Sequence, residues 1–221
     1  MKNYEIQLFE ELDETFKIEV NNYSKLLTFE KGEILFCGDE LLRHFYIILS
    51  GKVKTFQLNL QNAKEQTIFI LRSGDMFDTI VLLDHKAHDV MYETLEKTEV
   101  LEFPIEKVRN WIATNQQFNQ IFFPHLASQM RQVEELATDL SLHKTSYRLV
   151  KLLLQNIDSN NKEKYNLIHG LSHAEIANLI GTVRHVVEKH LHKLKADGIV
   201  ETDRHHLDVK NTNELVQKLS D

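Results

Sequence analysis

Residues 171–200 read LSHAEIANLIGTVRHVVEKHLHKLKADGIV, and this stretch predicts two helices joined by a tight turn. Ser172 and Glu175 have the spacing of a capping box, in which a hydroxyl and a carboxylate satisfy the first free amides of a helix. The first helix is predicted over residues 174–180, and Gly181 ends it because glycine readily adopts the positive φ of a turn.

The second helix is predicted over residues 183–196, with Thr182 as its N-cap and Gly198 at the left-handed position after its end. Two helices connected by a glycine-containing turn predict a helix-turn-helix. Residues 199–210 then form two short strand-like segments around a polar turn, which predicts a hairpin wing. The C-terminal part of the chain is therefore expected to be a winged helix-turn-helix.

The outer face of the second helix is predicted to carry side chains that can read base edges. In the major groove, arginine donates to guanine, glutamate accepts from cytosine, and lysine reaches guanine or phosphate. A merely solvated helix face is the alternative, but the capping box, the glycine turn and the wing favour DNA reading. The base-reading candidates are Arg184, His185, Glu188 and Lys189.

The N-terminal half has the pattern of a β-domain. Short apolar or alternating segments recur over residues 27–103, and glycines separate them. Gly32 and Gly51 follow polar residues at turn positions that need a positive φ. We therefore predict a β-sandwich or barrel. The clearest predicted strands cover residues 45–49, 53–58 and 66–71.

A further helical pattern follows residue 104. Apolar residues recur four and three apart over about 20 residues, which is the spacing of a heptad seam. Pro124 is expected in the first turn of this helix, where its missing amide is tolerated. The seam could pack on its own β-domain, but pairing with a second copy in a parallel dimer is favoured, with Gln129 fixing the register. The predicted dimer residues are Phe122, Leu126, Gln129, Met130, Val133, Leu136, Ala137 and Leu140.

Charge is divided unevenly along the 221 residues, whose net charge is −7. Residues 1–142 carry −9 and residues 143–221 carry +2, so an acidic domain precedes a mildly basic one.

The sequence shows no signal-peptide pattern and no apolar run near the roughly 20 residues of a membrane span, so a cytoplasmic protein is expected. The single cysteine, Cys37, cannot form an internal disulfide or a cysteine cluster, and it is expected to be packed rather than reactive.

Four stretches together resemble the Crp/Fnr family of bacterial transcription regulators. They are KGEILFCGDE at 31–40, FYIILSGKV at 45–53, GDMF at 74–77, and residues 171–200. The resemblance covers nearly the whole chain and implies an α+β fold with an N-terminal β-roll (a double-stranded β-helix or jelly-roll), a long dimerisation helix and a C-terminal winged helix-turn-helix. The implied domains are residues 1–118 for the sensor β-roll, 119–142 for the dimerisation helix and hinge, and 143–221 for the DNA-binding domain.

The resemblance also implies a homodimer that binds double-stranded DNA at a pseudo-palindromic promoter site and acts on RNA polymerase. The candidates for phosphate contacts, which fix the register without reading sequence, are Ser172, Thr182, Arg204 and His205. The commonest family pattern has Ser, Glu and Arg where this sequence has Val183, His185 and Lys189, so the usual half-site is not assumed.

The sensor domain departs from the members of the family that bind cyclic AMP. In those members GDMF would be followed by Gly-Glu-Leu, and a later Arg-Ser or Arg-Ala pair grips the cyclic phosphate; here Asp78-Thr79-Ile80 and roughly His88-Asp89 stand in these places. Carboxylates repel a phosphate anion, so cyclic AMP is not expected. An iron–sulfur cluster is not expected either, because the N-terminal cysteine cluster of the oxygen-sensing members is missing. The candidate effector-pocket residues are Met76, Phe77, Asp78, Thr79, His88 and Asp89.

The sequence leaves the signal open. Haem is one alternative, with His44, His85 or His88 as an axial ligand, and it would make the chain a haem- or redox-dependent sensor of gas, nitrosative or sulfur stress within the same family. A metal-binding enzyme on the β-barrel is an alternative of another class. The clustered histidine ligands of such enzymes are missing, so we expect no metal site of this kind, no catalytic residue and no enzyme activity.

Overall fold

The computed structural model of the chain describes residues 12–36, 39–155, 157, 168, 170–202 and 207–219. Cys37, Arg204 and His205 lie outside the described residues, and so does the tip of the predicted wing. What the sequence predicts for these three side chains therefore stays a prediction.

Strands dominate the N-terminal part of the described chain and helices the remainder. The strands are β1 (Lys25–Phe29), β2 (Ile34–Leu35), β3 (His44–Ser50), β4 (Lys52–Asn59), β5 (Lys64–Arg72), β6 (Met76–Phe77), β7 (Met91–Thr94), β8 (Thr98–Pro104), β9 (Val200–Thr202) and β10 (Leu207–Val209). The helices are α1 (Glu14–Tyr23), α2 (Asp39–Arg43), α3 (Thr79–Asp84), α4 (Ile105–Thr114), α5 (Gln116–Leu142), α6 (Thr145–Gln155), α7 (His173–Leu179), α8 (Arg184–Ala196) and α9 (Thr212–Gln217).

Two compact units make up the chain, one from residues 1–57 and 69–133, the other from residues 58–68 and 134–221. Strands β1 to β8 form two four-stranded sheets with the strand orders β1-β8-β3-β6 and β2-β7-β4-β5. Strand β8 pairs antiparallel with both β1 and β3, and β7 pairs antiparallel with both β2 and β4. This arrangement confirms the predicted β-roll, and the three clearest predicted strands are β3, β4 and β5.

Glycine is needed for two different reasons at the turns of the β-roll. Gly51, between β3 and β4, has a φ of 92°, and a Cβ built on it would lie 2.4 Å from Thr98 Oγ1 and 2.6 Å from the Lys97 carbonyl oxygen. Gly32 has a φ of 84°, but such a Cβ would meet no atom within 4 Å. Both positions have the predicted positive φ, while Gly51 alone of the two is also a point of close approach.

Aromatic rings join three helices to the core of the first unit. Phe16 of α1, Trp111 of α4 and Phe118 of α5 lie with ring centroids 5.2, 6.3 and 5.6 Å apart. Phe122 stacks on Phe118 at 5.7 Å and is completely buried in the same core. The prediction that Phe122 lies at the dimer face is therefore wrong, because one turn after Phe118 its ring fills the interior of its own chain.

Helix α5 starts earlier than the sequence pattern predicts. Asn115 Oδ1 accepts a hydrogen bond from the amide of Phe118 at 2.8 Å, which caps a helix that begins at Gln116. Pro124 consequently lies in the third turn of α5, not in the first. The helix loses one backbone hydrogen bond there, because proline has no amide to donate to the carbonyl four residues earlier.

The second unit contains the predicted helix-turn-helix. Ser172 Oγ accepts from the Glu175 amide at 3.2 Å, and the Glu175 carboxylate accepts from the Ser172 amide, so the capping box at the start of α7 is confirmed. Gly181 and Gly198 have φ values of 67° and 73°, as the turn and the end of α8 require. Strands β9 and β10 pair antiparallel and form the base of the wing.

The start of helix α8 differs from the prediction. Val183 is its N-cap residue, with extended backbone and no side-chain cap. Thr182 instead uses its amide to donate to the Ala177 carbonyl oxygen at 2.8 Å, which ties the turn back onto α7. The prediction that Thr182 caps α8 is therefore wrong. Val183 stands at the N-cap position and offers no side-chain acceptor to the first amides of the helix.

Candidate functional site

Helix α8 presents one apolar and one polar face. Its buried side chains are Val187, Leu191 and Leu194, which pack into the second unit. Of the four base-reading candidates, Arg184, His185 and Lys189 are exposed, and Glu188 is partly exposed. The helical period places His185 and Lys189 opposite the buried residues, whereas Arg184 lies in line with Leu191 and is exposed at the first position of the helix.

Two of these candidates, Arg184 and Glu188, are joined by a hydrogen bond. Arg184 Nε donates to Glu188 Oε1 at 2.7 Å, one turn along the same helix. His173 Nδ1, at the start of α7, lies 3.6 Å from the same oxygen. The contact with Arg184, followed by that with His173, lowers the pKa of Glu188, so its carboxylate is ionised at neutral pH. Sequence reasoning missed His173, since nothing in the sequence pairs residues 173 and 188.

The candidate phosphate contacts are only partly described. Ser172 is engaged in its capping box, and its hydroxyl hydrogen is still available for a second partner. Thr182 is partly exposed beside the turn. At the base of the wing, Lys195 Nζ donates to the Thr202 carbonyl oxygen at 3.0 Å, which joins α8 to β9. The turn and the wing base are thus both anchored to the helix pair.

A buried acidic group lies in the predicted effector region of the first unit. Asp78 has a left-handed backbone (φ 58°) just before α3, and its side chain is 2% exposed. Its Oδ1 is 3.0 Å from His88 Nδ1, and among the described residues its Oδ2 has no hydrogen-bond partner. The hydrogen bond with Asp78 raises the pKa of His88 against the opposing effect of burial, and the charges of Asp84 and Asp89 act in the same direction.

Aromatic side chains fill the space beside this pair. Phe77 stacks on Tyr46 at 5.2 Å and lies 5.0 Å from Tyr92, while Phe36 stacks on Tyr46 at 3.7 Å. Burial raises the pKa of both tyrosines, so both are neutral. Met76 belongs to the main hydrophobic core. The predicted pocket residues Met76 and Phe77 are therefore packed in the fold.

Helix α5 holds the segment that carries Asp78. Gln129 Nε2 donates to the Met76 carbonyl oxygen at 3.1 Å, and its Oε1 accepts from the Thr79 hydroxyl at 2.8 Å. His125 Nε2 lies 3.3 Å from the Met76 amide nitrogen and 3.2 Å from its carbonyl oxygen. Gln129 thus uses its amide within its own chain, and its predicted role as a polar position in the dimer seam stays a prediction.

The histidines considered as haem ligands lie on separate elements. His44 begins β3, His85 is the left-handed C-cap residue of α3, and His88 pairs with Asp78. Asp89 is exposed, and its carbonyl oxygen accepts from Gln57 Nε2 at 3.1 Å. Over the described ranges no group of three or more His, Cys, Asp or Glu side chains could hold a metal ion.

An apolar stripe remains uncovered along α5. Met130, Val133 and Leu140 are exposed, as is the small side chain of Ala137, whereas Leu126 and Leu136 are partly buried. The exposed members are spaced three and four apart, which is the spacing of a parallel helix pair.

None of the helices in the described part of the chain has the length and apolarity needed to cross a membrane.

Two family models match separate parts of the chain. The cyclic nucleotide-binding domain matches residues 26–115, and the Crp-like helix-turn-helix domain matches residues 147–218. The first covers most of the β-roll with α4, and the second covers α7, α8 and the wing strands.

Relatives with similar sequences match most of the chain. The cyclic AMP receptor protein of Thermus thermophilus is 26% identical over 186 residues, which cover 81% of each chain. The global nitrogen regulator of Synechococcus elongatus is 25% identical over 197 residues, covering 87% of this chain and 88% of that one. The solved structure of a CooA variant from Carboxydothermus hydrogenoformans has a TM-score of 0.78 at 22% identity, with 97% and 98% coverage, which shows the same fold.

Proposed function

The chain belongs to the Crp/Fnr family of DNA-binding transcription regulators, and on this basis we propose that it acts as a homodimer that reads a pseudo-palindromic promoter site. Two copies of α8 enter successive major grooves about 34 Å apart. Arg184 is the leading base reader, with His185 and Lys189 refining the choice. Ser172, Thr182, Arg204 and His205 bind phosphates and fix the register.

One observation carries this proposal: Arg184 is exposed at the first position of α8, and His185 and Lys189 are exposed on the side of the helix opposite Val187 and Leu191. A helix that only stabilised the unit would need no arginine at its first turn, where the helix dipole disfavours a cation. An arginine there is suited to donate two hydrogen bonds to the O6 and N7 acceptors of guanine. The exposed stripe of α5 supplies the surface for the second copy.

We propose that the controlling signal is not cyclic AMP, although one relative is named as a receptor for it. A cyclic phosphate needs donors and positive charge. This chain instead has Asp78 where the cyclic-AMP-binding members have glycine, and the buried carboxylate of Asp78 pairs with His88, which stands roughly in the place of their phosphate-binding pair. The haem- or redox-dependent alternative stays a prediction, with His44, His85 and His88 as its candidate ligands.

The remaining parts of the proposal follow from the family and from the DNA partner. The chain is cytoplasmic, acts together with RNA polymerase, and has a regulatory rather than an enzymatic role. Its sensor domain comprises residues 1–118, its dimerisation helix and hinge residues 119–142, and its DNA-binding domain residues 143–221. A signal in the β-roll acts by changing the relative affinity of two states of the dimer for DNA.

The experiment that tests this function is a selection from random duplex DNA with the purified full chain. A specific site should emerge, and Arg184→Ala should weaken discrimination at one base pair per half-site by about 5- to 150-fold. Lys193→Ala is the matched control, since it removes the same charge from an exposed position of α8 farther from the turn. If no sequence is enriched, or if Arg184→Ala binds specific and scrambled DNA as the parent does, the assignment fails.

A further inference from the structure

The pairing on α8 means that the base-reading candidates are not independent side chains. Arg184 and Glu188 share a hydrogen bond of 2.7 Å through Nε and Oε1. An arginine that is free in solution samples many rotamers, and immobilising it on DNA has an entropic cost. A contact that restricts the side chain before DNA arrives reduces that cost.

The atom used by this contact decides what remains for DNA. A guanidinium group has five N–H donors, and the contact with Glu188 takes the one on Nε. The four donors on the two terminal nitrogens remain, and a pair of them matches the O6 and N7 acceptors of guanine. Arg184 is largely exposed, so the pairing with Glu188 leaves the guanidinium open to a ligand.

Glu188 is itself held from a second element. His173 at the start of α7 approaches the same Oε1 that accepts from Arg184, at 3.6 Å. The carboxylate thus connects the first residue of α7 to the first turn of α8. Both contacts use Oε1, so a glutamate that read cytosine would have to bring its other oxygen to a base while Arg184 and His173 hold this one.

We infer that Glu188 is a positioning residue, held by His173, that orients Arg184 for guanine and does not itself read a base. The inference rests on the DNA-binding function proposed above and assigns its specificity to a three-residue unit, His173–Glu188–Arg184. Glu188 also places a negative charge near the DNA phosphates. Its removal should therefore leave non-specific binding unchanged or tighter while specificity falls.

The test compares single-base discrimination at every position of the selected site for the full-chain variants Glu188→Gln, Glu188→Ala and Arg184→Ala. The alanine variant is included because glutamine can itself bind adenine. Both Glu188 variants should lose about two- to fivefold of discrimination at the base pair affected by Arg184→Ala, as expected for a weakly held exposed ion pair. The double variant R184A/E188A should discriminate no worse than R184A alone, since the two residues act as one unit.

Two further variants separate positioning from other roles. His173→Asn should reduce discrimination at the same base pair, whereas a phosphate contact by His173 would weaken all sequences alike. Asp197→Asn is the matched charge control, because it removes one acidic charge from the other end of α8 and should leave discrimination unchanged. Thermal unfolding of each variant checks that the fold is retained.

Loss of discrimination at a different base pair in the Glu188 variants would make Glu188 a base reader and overturn the inference. Unchanged discrimination would overturn it as well. Either result leaves the DNA-binding function standing as long as the parent protein still selects a site. Failure of the parent to select any site would instead remove the proposed function, and the inference with it.

Discussion

His88 Nδ1 lies 3.0 Å from Oδ1 of Asp78, whose carboxylate is almost completely buried in the β-roll. An unpaired carboxylate in such a place would be strongly destabilising, so the imidazole partner is part of what permits it. The next residues along the chain are attached to α5 through Thr79 and Gln129. The effector region and the long helix are thus connected by hydrogen bonds within a single unit.

This pair predicts a pH-dependent contribution to the stability of the β-roll. The hydrogen bond between His88 and Asp78 raises the pKa of His88 above the ordinary value of 6.5, and the charges of Asp84 and Asp89 reinforce the effect. A raised pKa means that the folded state binds the proton more tightly than the unfolded state, so the stabilisation is fully present below pH 6.5 and is lost as the pH rises through the raised pKa. The destabilisation caused by His88→Asn should therefore be larger at low pH than at high pH.

Denaturant unfolding of the parent and of His88→Asn, from below pH 6.5 to above the raised pKa of His88, measures how the difference in their free energies of unfolding depends on pH. Asp78→Asn supplies the control background, in which the pH dependence of the His88 contribution should largely disappear. An effect of His88→Asn that is the same at every pH, with Asp78 intact, would show that the two groups do not form a charged pair.

Cyclic AMP should leave the melting temperature of the protein unchanged. A ligand present at about 100 times its Kd would stabilise the folded state by about 2.7 kcal/mol, which a thermal melt readily detects. The buried carboxylate of Asp78 should repel a cyclic phosphate, which needs donors and positive charge. The melting temperature is measured with about 1 mM cyclic AMP. A rise as large as that expected for a ligand with a micromolar Kd would contradict the prediction.

Alanine at Gly51 should destabilise the β-roll more than alanine at Gly32. Both substitutions force a positive φ on an alanine, which costs about 1 to 2 kcal/mol. At Gly51 the new Cβ would also lie 2.6 Å from the backbone oxygen of Lys97, which cannot move aside as a side chain could. We expect a loss in the free energy of unfolding of about 2 to 4 kcal/mol for Gly51→Ala and about 1 kcal/mol for Gly32→Ala. Equal losses in denaturant titrations would mean that the turn after β3 relaxes freely.

Replacing an exposed apolar residue of α5 by an acid should weaken the dimer. Val133→Glu puts a charge into the seam, where a helix pair excludes water, and we expect the Kd for dimerisation to rise at least about tenfold. The measurement is sedimentation equilibrium of the full chain. Gln132→Glu adds the same charge at the adjacent exposed position, so it should leave the dimer intact. A Val133→Glu protein that dimerises like the parent would place the interface elsewhere.

The helix-turn-helix could be predicted from the sequence because its signals are local. Ser172 and Glu175 lie three residues apart and cap the helix that follows them, and Gly181 and Gly198 mark backbone positions with positive φ. Each signal depends on neighbours within one or two turns. The N-cap prediction for Thr182 is wrong because α8 begins at Arg184, which makes Val183 the N-cap residue, and the local pattern does not show this shift of one residue.

Helix α5 shows where a periodic pattern is insufficient. Two stripes with the same spacing lie on this helix: Phe118, Phe122, His125 and Gln129 contact their own β-roll, while Met130, Val133, Ala137 and Leu140 are exposed. A repeat of three and four residues does not tell which stripe meets which partner, so the pattern alone places Phe122 on the wrong stripe. The bond between Asp78 and His88 likewise depends on how the chain returns after α3.

The central claim is that two copies of the chain present α8 together to one DNA site. The most direct measurement is a titration of a selected palindromic duplex with the full chain, which gives the number of chains bound per duplex and the affinity. The same titration is repeated with a duplex in which one half-site is scrambled. We predict two chains per duplex and at least about a tenfold loss of affinity when one half-site is scrambled. Binding of a single chain, or equal affinity for both duplexes, would contradict the claim.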